Sequence, residues 1–248
     1  MMAVFSILVL LALTEGATGL FYRKHIFVAS SMSWSNAQKY CREKYVDLST
    51  IDSLAEYESF VQQTKENKEE TAWIGLSNKP NETTFTRWSD GSMLGDTEWK
   101  SEEPNSPEIE NCVYTSKNQW YDQDCALSLG MFCYKWAPEM IVVQGLKNWE
   151  EALVDCRTNY THLLSITSKT DQYAVNSMIR NIQTPTFWTG LRFIDGLWFW
   201  VNQTGKTLPS MPSCPKKPFH CGAQNVRAGV WENRDCSEKM NFICYRDI

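Results

Sequence analysis

The hydrophobic pattern near the amino terminus changes period within a few residues. Residues 25–28 form a short apolar run that predicts a strand. After this run the apolar positions are spaced i, i+3, i+7 and i+11, which places them on one face of a helix. That helix begins near Ser33, and its apolar face consists of Trp34, Ala37, Cys41 and Tyr45.

A second helix is predicted directly downstream. Ser53 and Glu56 have the spacing of a capping box, in which each side chain bonds the backbone N–H of the other residue. The apolar face that follows consists of Leu54, Tyr57 and Val61. We therefore expect this helix to begin at the capping box and to pack through these three side chains.

The remainder of the first half is predicted to form short strands separated by turns. Residues 73–76 are a fully apolar run, and residues 111–115 and 131–134 are short segments rich in apolar and aromatic side chains. Turn-forming residues lie between them at 78–80 and 90–91. Two helices followed by a strand-rich, irregular segment predict a small α+β domain.

The chain contains this pattern twice. Trp34, Ala37 and Cys41 recur 115 positions later, and Trp120, Cys125 and Cys133 recur 111 positions later. The recurring pairs at these offsets are Trp34/Trp149, Ala37/Ala152, Cys41/Cys156, Leu48/Leu163, Ser53/Ser168, Trp73/Trp188, Gly75/Gly190, Leu76/Leu191, Trp120/Trp231, Cys125/Cys236 and Cys133/Cys244. Self-similarity at a fixed period indicates a repeated structural unit. Two homologous domains in tandem are predicted, with a boundary near residues 135–138.

The first nineteen residues predict a secretory signal peptide. Residues 3–13 are an apolar run that is too short to span a bilayer. Ala17 and Gly19 follow it like the −3 and −1 residues of a cleavage site, which predicts a signal peptide over residues 1–19. No later segment approaches twenty apolar residues, so we expect a secreted, extracellular product without membrane insertion.

Export makes the nine cysteines candidates for disulfides. Cys41 on the first helix and Cys133 on the last strand would close the whole first domain, which is worth roughly 4–5 kcal/mol in the chain-entropy model. Cys112 and Cys125 would close a smaller loop inside it. The repeat then predicts the second-domain pairs Cys156–Cys244 and Cys221–Cys236.

Charge and sequons describe the expected surface. The formal net charge is −5 and the sequence has no basic cluster, which argues against nucleic acid or an anionic membrane as a partner. Three glycosylation sequons begin at Asn81, Asn159 and Asn202. A glycoprotein surface is therefore predicted.

The segment 99–125 concentrates side chains with acceptor oxygens. These side chains are Glu103, Asn105, Glu108, Glu110 and Asp122. Ca²⁺ takes six to eight oxygen ligands from carboxylates, amide carbonyls and water, so a cation site is one interpretation. The other is an acidic, solvated loop, which is how most charge runs occur. Glu108 is expected to be a solvated charge in either case.

Together these residues resemble the C-type lectin-like domain, twice. The resemblance is carried by the helix cysteine, the Trp-x-Gly-Leu strand, the late tryptophan and the two nested cysteine pairs of each repeat. It covers residues 20–134 and 136–246. It implies an α+β fold in each domain, with two helices, small antiparallel sheets and a long irregular loop stapled by disulfides.

The resemblance also implies a chemistry for the acidic segment. In this family a Ca²⁺ ion held by the long loop and the following strand ligates two adjacent sugar hydroxyls. A Glu-Pro-Asn motif, here Glu103-Pro104-Asn105 with a cis proline, accompanies mannose-type sugars. The metal ligands implied for this chain are Glu103, Asn105, Glu110 and Asp122, and the sugar-binding residues are these four together with Tyr121.

Tyr121 departs from the family pattern, which has Trp-Asn-Asp where this chain has Trp120-Tyr121-Asp122. The remaining ligands, with two hydroxyls or waters, still supply about seven oxygens, within the range of Ca²⁺. The missing amide removes a hydrogen bond to a sugar hydroxyl, worth about 0.5–1.5 kcal/mol. We therefore expect weakened sugar binding, unless the Tyr121 ring stacks on a sugar face.

The second domain lacks the motif entirely. Counted back from Cys221, the positions of Glu103, Asn105 and Glu110 hold Pro212, Cys214 and Phe219. Trp231 is followed by Glu232 and Asn233 instead of Tyr and Asp. No calcium site is expected in this domain. Cys214 is left unpaired, and it could form an interchain disulfide in a homodimer or remain a free or partly buried thiol.

The leading functional prediction is a secreted, calcium-dependent lectin. Its first domain would bind mannose-, fucose- or N-acetylglucosamine-type glycans or glycoproteins, and its second domain would be degenerate. The alternative is a C-type lectin-like module that binds proteins without recognising sugars. No enzyme is predicted, because the sequence has no Gly-x-Ser-x-Gly, His-Glu-x-x-His or nucleotide-binding loop.

Overall fold

The computed structural model describes residues 19–80, 82–203 and 208–247. Apart from a few terminal residues, residues 21–140 form one compact unit and residues 141–245 form a second. In its described part each unit contains two α-helices, one sheet and two disulfides. The prediction of two tandem, disulfide-stapled α+β folds is confirmed.

The strands of the first unit form a single mixed sheet. In chain order its elements are β1 Tyr22–Met32, α1 Trp34–Lys44, β2 Asp47–Leu48, α2 Leu54–Thr64, a 3-10 turn Lys65–Asn67, β3 Ala72–Ser77, β4 Arg87–Trp88, β5 Cys112–Ser116, β6 Gln119–Gln123 and β7 Leu129–Ala137. The main path is β1-β7-β3-β5-β6, with β2 on β7 and β4 on β3. The sheet has seven strands, so it is larger than the small sheets predicted. It is mixed and not purely antiparallel, because β3 runs parallel to β7.

The second unit repeats this arrangement. Its elements are β8 Glu139–Lys147, α3 Trp149–Asn159, β9 His162–Leu163, α4 Lys169–Met178, a 3-10 turn Ile179–Asn181, β10 Thr186–Ile194, β11 Leu197–Trp200, β12 Cys221–Asn225, β13 Trp231–Arg234 and β14 Met240–Arg246. The path is β13-β12-β10-β14-β8, and β10 runs parallel to β14 as β3 does to β7. The sequence repeat is thus also a repeat of topology.

Paired tryptophans explain why the repeat was visible in the sequence. The indole N–H of Trp34 donates to the Ile74 carbonyl at 2.9 Å, and that of Trp149 donates to the Thr189 carbonyl at 2.8 Å. Each bond fastens the first helix of its unit to the central strand. A buried indole needs such an acceptor, so the ring and its partner strand recur together at one offset.

The capping box predicted for α2 is only half formed. The Ser53 hydroxyl accepts the Glu56 N–H at 3.2 Å. The Glu56 carboxylate is instead held by side chains of β1, at 2.8 Å from His25 Nε2 and 3.4 Å from Arg23 Nη1. A buried cationic partner outweighs one backbone N–H, because charge-assisted hydrogen bonds are about twice as strong as neutral ones.

The predicted apolar face of α2 is also shifted. Leu54 is 51% exposed, whereas Phe60 is buried in the core of the unit. Tyr57 and Val61 are partly buried and pack against the same core. The buried face therefore runs through the last two turns of the helix, and the prediction for Leu54 was wrong.

The four disulfides join the cysteines that the sequence pairs. They are Cys41–Cys133, Cys112–Cys125, Cys156–Cys244 and Cys221–Cys236. In the first unit one bond ties α1 to β7 and the other ties the start of β5 to the segment after β6. The smaller bond closes the base of the loop in which the acidic residues lie.

Candidate functional site

The long loop of the first unit is anchored against the tryptophan core. The Trp120 N–H donates to the Glu98 carbonyl at 2.9 Å, and the Lys100 N–H donates to the Trp120 carbonyl at 3.0 Å. The Trp99 ring contacts the fully buried Trp120 ring edge-on, with centroids 5.9 Å apart. The acidic residues after Lys100 therefore extend from a fixed base.

The Glu-Pro-Asn motif brings its two polar side chains together. The Glu103–Pro104 peptide bond is cis, as the family resemblance implies. The Asn105 amide Nδ2 donates to Glu103 Oε1 at 3.1 Å. The side chains of Glu103 and Asn105 are therefore in direct contact, although they are separated by a proline.

Asp122 connects this motif to the sheet. Its side chain is only 3% exposed, and it lies on β6 opposite Val113 of β5. Its two carboxylate oxygens accept the backbone N–H groups of Asn105 and Ser106, each at 3.0 Å. A buried carboxylate that accepts two amides fixes the loop relative to the strand, because each bond is charge-assisted.

The acidic groups are crowded in a way that favours a cation. Burial raises the pKa of Glu103 to about 7, and the neighbouring Asp122 carboxylate adds to the rise. In the described part of the chain, no donor reaches the buried Glu103 Oε2 atom. An orphaned, buried carboxylate oxygen beside a second carboxylate fits a Ca²⁺ ligand set, since Ca²⁺ prefers carboxylate and amide oxygens.

Glu110 lies near this pair without joining it. Burial raises its pKa, followed by the charges of Asp122, Asp124 and Glu108. Among the described residues, however, the oxygens of Glu103, Glu110 and Asp122 do not all lie within 4.8 Å of one another. Ca²⁺–oxygen distances are about 2.3–2.6 Å, so Glu110 would have to move inward to share an ion with the other two.

The Tyr121 ring stacks on another tyrosine ring. Its ring lies parallel to the Tyr114 ring, with centroids 4.9 Å apart and an interplanar angle of 5°. Tyr114 in turn meets the fully buried Trp73 edge-on at 6.3 Å. Burial, and then the neighbouring Tyr121 hydroxyl, raise the pKa of Tyr114, with smaller contributions from the carboxylates of Glu103, Glu110 and Asp122.

The sequence reasoning missed Tyr114, although a signal for it was available. Residues 117 and 118 form a two-residue turn with positive φ at both positions, which is the geometry of a tight β-hairpin. That turn pairs Ser116 with Gln119 and therefore places Tyr114 directly opposite Tyr121. Recognising the hairpin would have predicted the aromatic pair.

The second unit carries different chemistry at the matching positions. The Pro212 carbonyl accepts the Trp198 indole N–H at 2.8 Å, and the Phe219 side chain is exposed. The Glu232 carboxylate is bound by Asn225 and Arg234. The Asn233 amide Nδ2 donates to the Phe219 carbonyl at 3.5 Å. At the positions that match Glu103 and Asp122, backbone carbonyls and an amide therefore make the contacts, and the Glu232 carboxylate is already bound by neighbouring side chains.

The other residues singled out in the sequence lie in separate parts of the chain. Cys214 is an exposed free thiol in the second-unit loop. Asn159 is exposed at the end of α3, whereas Asn202 is partly buried. The signal peptide prediction and Asn81 lie outside the described residues, except for Gly19 at the predicted cleavage site. In the described part of the chain, the helices are too short or too polar to cross a membrane.

Comparison with known proteins places this geometry in a family. The chain is 28% identical to human C-type mannose receptor 2 over 256 residues, covering 89% of the chain and 17% of that protein. It is 31% identical to human lymphocyte antigen 75 over 252 residues (89% and 15%) and 24% identical to the human secretory phospholipase A2 receptor over 255 residues (87% and 17%). The chain thus spans less than a fifth of the length of these relatives.

Solved structures and a family model were matched as well. The cow C-type carbohydrate-recognition domain of CD23, solved in the presence of a GlcNAc2Man3 oligosaccharide, is 29% identical, with a TM-score of 0.41 over 46% of this chain and 88% of that one. Human lithostathine is 24% identical, with a TM-score of 0.42 over 46% and 85%. The family model for the lectin C-type domain matches residues 30–135 and again residues 145–246. The chain therefore belongs to the C-type lectin domain family.

Proposed function

We propose that the protein is a secreted, calcium-dependent lectin whose first domain binds mannose-, fucose- or N-acetylglucosamine-type glycans. The observation that carries the proposal is the contact of Asn105 with both Glu103 and Asp122, beside a buried Glu103 oxygen that no donor of the described residues reaches. In this assignment residues 1–19 are the signal peptide, residues 20–134 the sugar-binding domain and residues 136–246 a degenerate second domain.

In this proposal each polar residue of the first-domain site has a separate role in binding. Glu103, Asn105 and Asp122 would hold the ion, and Glu110 would complete the set by moving toward it. Bound Ca²⁺ supplies open coordination positions for two adjacent sugar hydroxyls. The Glu103 carboxylate accepts a hydrogen bond from one hydroxyl, and the Asn105 amide donates one to the other. The hydrogen bond from the Asn105 amide to Glu103 Oε1 keeps the two side chains together.

A glycan array with and without EDTA tests this function. Binding to mannose-type glycans that EDTA removes is the expected result. The double change Glu103→Gln and Asn105→Asp should shift binding toward galactose, because it exchanges the donor and acceptor positions. Glu108→Gln is the matched control, since Glu108 is exposed on the same loop and should leave the profile unchanged. Absence of any EDTA-sensitive glycan binding would contradict the proposal.

Calcium affinity should fall as the pH is lowered through about 7. The raised pKa of Glu103, about 7, means that protons compete for the carboxylate that the ion requires. About tenfold weaker binding is expected at pH 6 than at pH 8, because the ionised fraction falls about tenfold over that interval. Calorimetric titration at the two pH values measures this difference. Equal affinities would contradict competition between protons and Ca²⁺ at Glu103 in this pH range.

The alternative function is protein binding without sugar recognition. It is favoured by the Tyr121 ring, which stacks on Tyr114 and supplies no amide to a sugar hydroxyl. The name of one relative, the secretory phospholipase A2 receptor, refers to a protein ligand of that receptor. The names of others refer to mannose. Both functions are binding functions, and neither requires catalysis by this chain.

Tyr121→Asn distinguishes the two functions. If the first domain binds sugars, the restored amide should raise mannose affinity by up to about tenfold, since one hydrogen bond is worth about 0.5–1.5 kcal/mol. Tyr121→Phe retains the stacked ring without an amide and serves as the control, with no gain expected. Surface plasmon resonance on immobilised mannose glycans measures both. A Tyr121→Asn chain with no gain in sugar binding would favour the alternative.

Cys214 is proposed to link two chains through an interchain disulfide. It is the odd cysteine of nine and is an exposed thiol in the second-unit loop. Two chains joined there would display two sugar sites and raise avidity. The secreted protein should run as a dimer on a non-reducing gel and as a monomer after reduction, and Cys214→Ser should be monomeric in both. A monomer in both lanes for the unchanged chain would contradict an interchain disulfide at Cys214.

A further inference from the structure

An open groove of about 740 Å³ lies between β8 and α3 of the second unit. Two exposed aliphatic side chains line it, Leu146 at 56% exposure and Val154 at 62%. Polar groups share the groove, among them Lys147 and Asp155, which form an ion pair. The groove therefore combines apolar surface with charged hydrogen-bonding groups.

Asn159 lines the same groove and begins a glycosylation sequon, Asn159-Tyr160-Thr161. It is the last residue of α3, and its side chain is exposed. Its amide Nδ2 donates to Asp155 Oδ1, which directs the amide along the groove toward the ion pair. An attachment point for an oligosaccharide is thus part of the groove wall.

The described sequon asparagines differ in their surroundings. Asn202 is partly buried, its Oδ1 accepts the Ser165 hydroxyl at 2.7 Å, and its Nδ2 donates to the Tyr245 hydroxyl at 3.3 Å. A sugar on that nitrogen would have to share the space between Ser165 and Tyr245. Asn159 differs, because its side chain is exposed and, within the part of the chain that the structure describes, its amide Nδ2 donates to Asp155 alone.

We propose that Asn159 carries an N-linked glycan whose first sugar units lie in this groove and cover Leu146 and Val154. The glycan would be transferred from a lipid pyrophosphate-linked oligosaccharide. A bond forms between Asn159 Nδ2 and the anomeric carbon, the bond from that carbon to the phosphate oxygen breaks, and the amide proton leaves to a base. The lipid pyrophosphate is the leaving group.

Sugar chemistry matches both parts of the groove. The C–H faces of a pyranose ring bury aliphatic surface, which removes Leu146 and Val154 from water. Sugar hydroxyls can donate to the carboxylates of Asp155 and Glu151, whose bonds are charge-assisted. The modified Asn159 nitrogen retains one hydrogen, so its bond to Asp155 can persist. This inference does not depend on sugar binding by the first domain.

Site occupancy is tested first. The full chain is produced in a secretory eukaryotic host, and peptide mass mapping after enzymatic deglycosylation in ¹⁸O water identifies the modified asparagines. Asn159 should be tagged in the unchanged chain and in Thr161→Ser, which preserves the sequon. Thr161→Ala should lose the tag. An untagged Asn159 in the secreted, folded protein would overturn the proposal.

The position of the glycan on the surface is tested by carbene footprinting of the same proteins. Leu146 and Val154 should be labelled several-fold less in Thr161→Ser than in Thr161→Ala. Ile194 and Leu197 are exposed elsewhere on the same unit and provide the internal control, with equal labelling expected in both variants. Equal labelling of Leu146 and Val154 in an occupied protein would show that the glycan points into solvent and would overturn the covered groove.

Discussion

Asp122→Ala is expected to abolish Ca²⁺ binding. It should also lower the free energy needed to open the long loop of the first unit by about 3 kcal/mol. The buried Asp122 carboxylate accepts the N–H groups of Asn105 and Ser106. Hydrogen bonds to charged groups are worth about 1.5–3 kcal/mol each, and the change leaves two amides without their acceptor. The ion would lose a carboxylate and the positioning of Asn105 at once.

Hydrogen exchange of the loop amides and calcium calorimetry measure these two effects separately. Asn233→Ala is the matched control, because Asn233 lies two residues after Trp231 as Asp122 lies two residues after Trp120, and its side chain donates a long bond of 3.5 Å to the Phe219 carbonyl. It should change neither Ca²⁺ binding nor exchange in the first unit. An Asp122→Ala protein that retains Ca²⁺ affinity would contradict the role of Asp122 as a ligand.

Removing the Cys41–Cys133 disulfide should have the largest effect on stability. The bond joins residues 92 positions apart, and the chain-entropy model assigns such a loop about 4–5 kcal/mol. Whole domains have only about 5–15 kcal/mol of unfolding free energy. A chain with Cys41→Ala and Cys133→Ala should therefore leave the first unit close to unfolding, and its sugar binding should fall with the folded fraction.

Two other double variants provide the comparison. Loss of Cys112–Cys125, whose residues are 13 positions apart, should cost about 3 kcal/mol and disturb the loop more than the sheet. Loss of Cys156–Cys244 should destabilise the second unit while Ca²⁺ binding by the first persists. Site-resolved hydrogen exchange distinguishes the units. Equal destabilisation by Cys41–Cys133 and Cys112–Cys125 would contradict the loop-length argument.

Much of the fold could be predicted because its determinants are local or repeated. The helix face of Trp34, Ala37 and Cys41 is visible as a spacing, and the same spacing occurs at Trp149. Burial then confirms it, since both tryptophans are core residues whose indoles bond the central strand of their unit. The disulfide pairs follow from where the helices and last strands lie.

The features that could not be predicted depend on contacts between distant segments. The Glu56 carboxylate leaves its capping box for Arg23 and His25, which are about thirty positions away along the chain. Asp122 holds Asn105 by backbone atoms, which no side-chain motif reveals. Tyr114 stacks on Tyr121 only because the hairpin register sets the two residues opposite each other.

Calcium titration of the full chain by calorimetry tests the central claim most directly. The account predicts one saturable Ca²⁺ site per chain, with a dissociation constant of about 0.1–1 mM, the range of extracellular calcium modules. Glu103→Gln should remove that site, and Glu108→Gln should leave it unchanged. No saturable binding, or binding that survives Glu103→Gln, would contradict a calcium site at Glu103, Asn105 and Asp122.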